Sequence, residues 1–192
     1  TKTEGHETPA YNGQIHDLLQ VLNYNLRQFD RGIEHGEQSI RLLEEYGDSS
    51  RLSAAILNLG NNYAGKGMLT EAERSLKRAL DISTRINNTE VQSSALLNLL
   101  FFDLKYLKLD GVVEGVRQIR LLNEKINSKE ISVKAYKMLG LYYLVSNNFS
   151  ESKKYLDSAL LLSDLYEMPQ EKREAYKDLS SLYMAKRDYL KS

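Results

Sequence analysis

The 192-residue chain contains no cysteine. Disulfides, thiolate metal centres and thiol catalysis are excluded together. So is any redox clue to compartment, which stays open between cytoplasm and periplasm. Only two prolines occur, Pro9 and Pro169. Scarce proline and few alternating apolar–polar runs favour helices over strands. Neither sign of charge is in excess, because 26 Lys and Arg balance 26 Asp and Glu. A nucleic-acid binder normally carries a basic surplus for the phosphates, and this chain has none overall. No apolar run approaches the roughly 20 residues needed to span a bilayer. The longest, Leu96–Leu104, is cut by Asn98 and Asp103. The first residue is Thr1, with no methionine or signal peptide before it, so the chain is expected to be a processed or excised piece.

What the sequence does have is an internal repeat. Shifted by 40 residues it matches itself: Phe29, Leu69, Leu109, Phe149 and Tyr189 fall at one phase. Leu19, Leu59, Leu99, Leu139 and Leu179 share a second, and Leu42, Ile82, Leu122 and Leu162 a third. After the first set come Asp30, Thr70, Asp110 and Ser150, whose short oxygens suit helix N-caps. Leu190, at the fifth such position, breaks that pattern.

Each unit reads as two helices. Ile56, Leu59 and Tyr63 lie three and four apart, as an amphipathic helix over 53–66 requires. Gly67 ends it. Thr70 and Glu73 suggest a capping box opening a second helix. Leu76, Ala79, Leu80 and Ser83 continue that helix, and Asn87 and Asn88 close it, since Asn tolerates the left-handed conformation. Tyr136, Leu139, Tyr143, Asn147, Asn148, Ser150, Leu156 and Ala159 repeat the plan.

The order Leu59-Gly60, Tyr63, Ala72, Leu76, Ala79 resembles the tetratricopeptide (TPR) signature, and Leu139-Gly140, Tyr143, Ser152, Leu156, Ala159 matches it again. The small residues would let two helices approach while the large ones fill the space between. The resemblance implies an all-α fold, a right-handed α-solenoid of stacked antiparallel helix pairs. About five units are expected, at 13–52, 53–92, 93–132, 133–172 and a truncated 173–192, after an N-terminal extension at 1–12. The period exceeds the family's usual 34 residues, so the helices should be about one turn longer. Unit three has Leu100 where Gly is expected and Asp103 where the aromatic is expected. Unit one has Gln20 and Asn23 there. It also carries Gly32 and Gly36 inside its second helix, each costing roughly 1 kcal/mol. It therefore reads as the loosest unit and as an atypical cap. The phase also places a new second helix from about Tyr189, so the natural chain is expected to continue past Ser192. The face of Tyr176, Leu179 and Tyr183 would then lack its partner helix, and a homodimer through that end would cover it.

No catalytic constellation or cofactor motif is evident. The histidines His6, His16 and His35 do not cluster in sequence, and no HExxH, GxxxxGK or GxGxxG occurs. Glu44-Glu45 and Glu71 with Glu73 sit among cations and read as solvated charge patterning. Most of the thirteen tyrosines share packing phases, as Tyr63, Tyr143 and Tyr183 do, or Tyr136 and Tyr176. The chain is read as a non-enzyme.

In TPR proteins the first helix of each pair lines a concave inner face. The resemblance places Leu57, Asn61, Leu97, Asn98, Phe101, Lys134, Lys137, Leu141, Glu174, Lys177 and Ser181 there. Of these, Asn61, Asn98, Phe101, Lys134, Lys137, Leu97, Leu141 and Lys177 form the expected peptide-binding set. Some TPR domains grip a terminal carboxylate with a five-residue clamp. This chain resembles it at Asn61, Asn98 and Lys134 and departs at Leu57 and Met138, where cations are expected. The expected partner is a protein or peptide, with neither nucleic acid nor membrane contacted by this segment. The last unit, 175–190, resembles repeats of bacterial TPR sensors. A ligand-sensing domain of a signalling or transcription regulator whose output domain lies outside this chain is therefore a second reading. A self-association scaffold is a third.

Overall fold

A computed structural model describes residues 7–189, so His6 and Leu190 lie outside the described residues. The described residues form nine helices and no strand: α1 (Glu7–Asn25), α2 (Phe29–Tyr46), α3 (Ser49–Lys66), α4 (Leu69–Arg85), α5 (Thr89–Lys105), α6 (Val112–Ile126), α7 (Lys129–Val145), α8 (Phe149–Leu165) and α9 (Pro169–Tyr189). No described helix is long and apolar enough to cross a membrane. The chain divides into two compact units, Thr1–Ala95 and Leu96–Ser192, with the division inside α5.

The repeat is written into the backbone as a turn at every twentieth residue. Arg27, Gly47, Gly67, Asn87, Leu107, Asn127, Asn147 and Glu167 all take positive φ, between 50° and 87°. A left-handed residue is the usual stop of an α-helix, because its turn lets orphan carbonyls of the last turn accept backbone N–H groups. Gly67 donates to the Ala64 carbonyl, and Met68 behind it to that of Tyr63. The next position in this rhythm is Arg187, where the expected turn does not occur: α9 runs unbroken to Tyr189. No glycine or asparagine stands there to favour the turn.

The expected caps shift by two positions or go unused. Helices α2, α4 and α8 begin at the apolar residues Phe29, Leu69 and Phe149, so Asp30, Thr70 and Ser150 lie inside the first turn. Met68 is the N-cap of α4 and its side chain makes no capping hydrogen bond, while Glu73 accepts from Lys77 at 2.6 Å. Asp110 likewise gives way to Gly111 ahead of α6. Side-chain caps among the described helices are Asp48, Asn88, Ser128 and Asn148.

In the N-terminal unit α1 packs on α2, α2 on α3 and α3 on α4, with a further α1–α3 contact. Its core is Leu43, Ala55, Ile56, Leu59, Ala72, Leu76 and Ala79, all nearly or fully buried. A fully buried leucine contributes about 1.5–3 kcal/mol. The glycines Gly32 and Gly36 are not loose spots. A Cβ on Gly36 would stand 2.3 Å from the Gln20 amide oxygen, and one on Gly32 would stand 2.0 Å from that of Asn62. They are where α2 closes on buried side chains of its neighbours. Unit one is not a polar cap either, since α1 exposes Tyr11, Leu18 and Leu22 by half or more.

In the C-terminal unit α6 packs on α7, α7 on α8 and α8 on α9, and α7 touches α9. Leu97, Leu100 and Leu104 join Val112, Val116 and Ile119 of α6 and Ile131, Ala135, Met138 and Leu139 of α7 in one core. Leu156, Leu179 and Leu182 form a second.

Candidate functional site

Helix periodicity sorts α7 into two working sides. Lys134, Lys137 and Leu141 follow at i, i+3 and i+7 and share one side, while Tyr136, Leu139 and Tyr143 lie about 180° away.

The lysine side faces α9. Lys137 Nζ stands 3.9 Å from Glu171 Oε2, and both side chains are sheltered, at 22% and 17% exposure. One α9 turn on, Glu174 accepts from Lys177 at 2.7 Å, and that bond holds its carboxyl below the usual range. Asp178 follows. Burial raises its pKa above the ordinary value, against the opposing pull of Lys137. One oxygen each of Glu171 and Asp178 is buried without a hydrogen-bond partner. Lys134 pairs with Glu130 on its own helix.

Of the eight expected binding residues, seven belong to the C-terminal unit and Asn61 to the N-terminal one. Lys137 and Lys177 are drawn into the α7–α9 charge network, and Leu141 is half-buried beside it in sequence phase. Phe101 is 52% exposed and Asn98 half-buried on α5. Leu97 is packed into the core, 5% exposed, and packing accounts for it. Asn61 is half-buried on α3 in the other unit. Met138, at one of the clamp departures, is a core residue.

The sequence reading missed Glu171 and Asp178, although a repeat signal marks the second. Asn58 donates to Asp17 at 3.0 Å across 41 residues. Lys137 and Asp178 occupy the same two phases 120 residues later. Successive first helices thus exchange a polar contact at this position, by hydrogen bond in one unit and by charge in the other.

The histidine reading is also corrected. Helices α1 and α2 bring His16 and His35 together, with Nδ1 atoms 2.9 Å apart. Burial, then the His35 charge, lowers the His16 pKa. Among the described residues no group of three or more His, Asp or Glu is placed to hold a metal.

The tyrosine side of α7 opens on two adjoining clefts. One, of about 240 Å³, is lined by Arg120, Asn123, Glu124, Ser132 and Tyr136 among others. The other, of about 300 Å³, shares Arg120 and Glu124 and adds Leu139, Tyr143 and Tyr155. Tyr143 and Tyr155 stack with centroids 5.4 Å apart and planes within 6°. Tyr176 and Tyr183, on the face expected to lack a partner helix, are more than half exposed, whereas Leu179 is buried.

No protein-family model and no curated protein matches the chain. Two solved structures are similar over almost its whole length. Both are of a Podosopora anserina protein of nearly identical TPR-like repeats assigned to the kinesin light chains, one of them a substituted form. The substituted form gives a TM-score of 0.64 at 15% identity over 96% of this chain and 98% of that one. The other gives 0.64 at 14% identity, over 96% and 99%. At such identity the likeness concerns the fold alone, and it agrees with the helix pairs, the left-handed stops and the small-residue contacts. In fold, this chain is an all-α, TPR-like helical-repeat protein.

Proposed function

We propose that this chain is a protein-interaction scaffold that binds an extended peptide segment along the first-helix face of its C-terminal unit, with Asn98, Phe101, Lys134, Lys137, Leu141 and Lys177 as the contacts. The observation that supports the reading is the Lys137–Glu171–Asp178 group. It keeps two carboxylate oxygens buried without hydrogen bonds next to a sheltered ammonium. An acidic peptide group competes for Lys137, and as the Lys137 side chain moves toward it the two oxygens open to N–H donors of the peptide backbone. Buried unpaired acceptors are costly, so satisfying them favours binding.

Every cation of the set already faces a carboxylate of its own: Lys134 faces Glu130, Lys137 faces Glu171 and Lys177 faces Glu174. A terminal carboxylate would have to displace one of these partners, so the reading favours backbone recognition over a carboxylate clamp. The test is a screen of peptides with free or amidated C-termini against wild type, Asn98→Ala and Lys137→Ala. Amidated peptides are expected to bind as well as free ones, and Lys137→Ala is expected to weaken both. Binders indifferent to both substitutions would remove this face from the site.

A further inference from the structure

The two clefts on the tyrosine side of α7 are used by none of the above, and the repeat itself gives a control for them. Arg120 stands at the phase of Ile40, Leu80 and Leu160. Ile40 is 8% exposed, and Leu80 and Leu160 are half-buried, so the fold asks for an aliphatic side chain here. Unit three supplies an exposed arginine instead. Tyr155 stands where other units have His35, Ser75 and Gly115, so a large ring replaces a small or polar residue. The two departures meet in one place, for both line the larger cleft.

The charges around the clefts do not cancel uniformly. Arg117 is held by Glu114 in a two-pronged pair, both bonds at 2.7 Å. Lys154 is held by Glu151 at 3.1 Å. Among the described residues Arg120 makes no hydrogen bond or ion pair; its guanidinium carbon lies 6.0 Å from the Tyr136 ring centroid. A guanidinium presents five donors in a planar fork suited to a carboxylate. Glu124, one turn on, lines both clefts as an acceptor. Between them the walls are Tyr136, Tyr143, Tyr155 and Leu139, with Val113 and Leu121 about half exposed at the rim.

We infer that this slot between α6 and α7, walled at one end by Tyr155 of α8, is a second binding site for an extended acidic peptide of a partner protein. Its acidic side chain lies against Arg120, a neighbouring apolar side chain rests on the Tyr143–Tyr155 stack, and its backbone N–H groups face Glu124. Two adjoining clefts that share the Arg120–Glu124 pair form an elongated slot, which suits a chain better than a single compact ligand. Aromatic residues and arginine are the side chains that most often anchor such interfaces. The slot lies on the side of α7 opposite Lys137, so the two sites are independent.

The test uses the full chain and two pools of fluorescein-labelled nonapeptides, acetylated and amidated at their ends. Both alternate Leu and Tyr with a charged residue, glutamate in one pool and lysine in the other. Anisotropy should show the glutamate pool binding and the lysine pool about tenfold weaker or worse, the discrimination expected of one charge-assisted contact. Arg120→Leu restores the residue type of the repeat. It should fold with equal or higher thermal stability and lose about tenfold in affinity. Arg120→Gln serves as the second variant should the leucine associate, and the same loss is expected. The same measurements are made in a Lys137→Ala background, where the face proposed above no longer competes for the glutamate pool, and the Arg120 losses are expected there as well. The inference is overturned if Arg120→Leu and Arg120→Gln retain affinity, if the lysine pool binds equally, or if neither pool binds.

Discussion

Leu100 and Gly115 make the contact of Gly140 and Leu156 with the partners exchanged. A Cβ on Gly115 would stand 2.7 Å from Leu100 Cδ2, and one on Gly140 would stand 2.5 Å from Leu156 Cδ2. Gly60 meets Leu76 in the same sense as Gly140, and Gly36 meets Gln20 in the sense of Gly115. Every helix pair therefore sets one glycine against one bulky side chain, and only the side that carries the glycine changes. This accounts for the apparent departures of the first and third units.

The contacts differ in tightness, which gives a graded prediction. Alanine in place of glycine recovers up to about 1 kcal/mol of helix propensity. At Gly140 the new methyl group would also press on Leu156 Cγ at 2.6 Å, and Leu156 is fully buried. Ser152 Oγ, donating to the Gly140 carbonyl at 2.8 Å, holds the helices together at that point. Overpacking of about 1–3 kcal/mol should win there. At Gly60 the nearest atoms are 3.1 Å away and the two effects should nearly cancel. Chemical denaturation is expected to rank Gly140→Ala well below Gly60→Ala, and the reverse order would contradict the packing described.

Gly32 and Asn62 should be energetically coupled. Asn62 is fully buried, donates to the carbonyls of Asn58 and Gln20, and leaves its Oδ1 without a hydrogen bond, close against Gly32. Gly32→Ala should destabilise by about 1–3 kcal/mol. In an Asn62→Ala background the obstructing amide is gone, and the same change should cost far less. A double-mutant cycle measures the difference, with a coupling of about 0.5–3 kcal/mol expected for residues in contact. Simple additivity would remove the contact.

The helix pairs were legible because a 40-residue period repeats the apolar phases of both helices of a pair. Turn positions were legible where glycine or asparagine marked them, at Gly67, Asn87 and Asn147. They were hidden at Arg27, Leu107 and Glu167, whose residue types carry no turn signal. The exchanged glycines were invisible because a sequence shows a glycine's cost to its own helix, not what lies opposite it. For the same reason His16 and His35, nineteen residues apart, gave no sign of meeting. Lys137 was named from its phase, whereas the carboxylates that face it, Glu171 and Asp178, depend on how α7 meets α9.

The unmarked turns lead to a stabilising prediction. Leu107 and Glu167 hold φ of 58° and 54°. A left-handed conformation costs a residue with a Cβ roughly 1–2 kcal/mol, and glycine escapes that cost. Glycine's greater freedom in the unfolded chain returns part of the gain. Leu107→Gly and Glu167→Gly should each stabilise by a net of about 0.5–1 kcal/mol. Lower midpoints in denaturant for both would show that the turns are held by something other than backbone preference.

The histidine pair should make stability fall in mild acid. Burial and the His35 charge hold the folded pKa of His16 below the ordinary imidazole value of 6.5. A depressed pKa means that the unfolded chain takes up the proton more readily. The contribution is therefore present above pH 6.5 and lost as pH falls through the lower folded value. The Nδ1–Nδ1 bond needs one ring to accept, and two cationic rings cannot satisfy it. Protection of α1 amides, corrected for the intrinsic slowing of exchange in acid, should fall between about pH 7 and pH 5, and His35→Gln should flatten that fall. An identical pH profile in the variant would show that the pair contributes nothing.

Asp178 gives the opposite sign at a single carboxylate. Its folded pKa is raised above 3.8, chiefly by burial, so the folded state prefers the protonated acid. The favourable contribution is complete below pH 3.8 and is lost as pH rises through the folded value, leaving an ionised group in a costly place at neutrality. The nearby charge of Lys137 offsets part of that cost without removing it. Asp178→Asn keeps the shape and removes the charge. It should raise Tm at pH 7 by about 1–3 °C, a small step for a chain of this size. The gain should shrink as pH falls through the folded value and be gone below pH 3.8, where both states of wild type carry the proton. A lower Tm for Asp178→Asn at pH 7 would mean that attraction to Lys137 outweighs burial, and that the α7–α9 charge group is held together by Asp178 rather than strained by it.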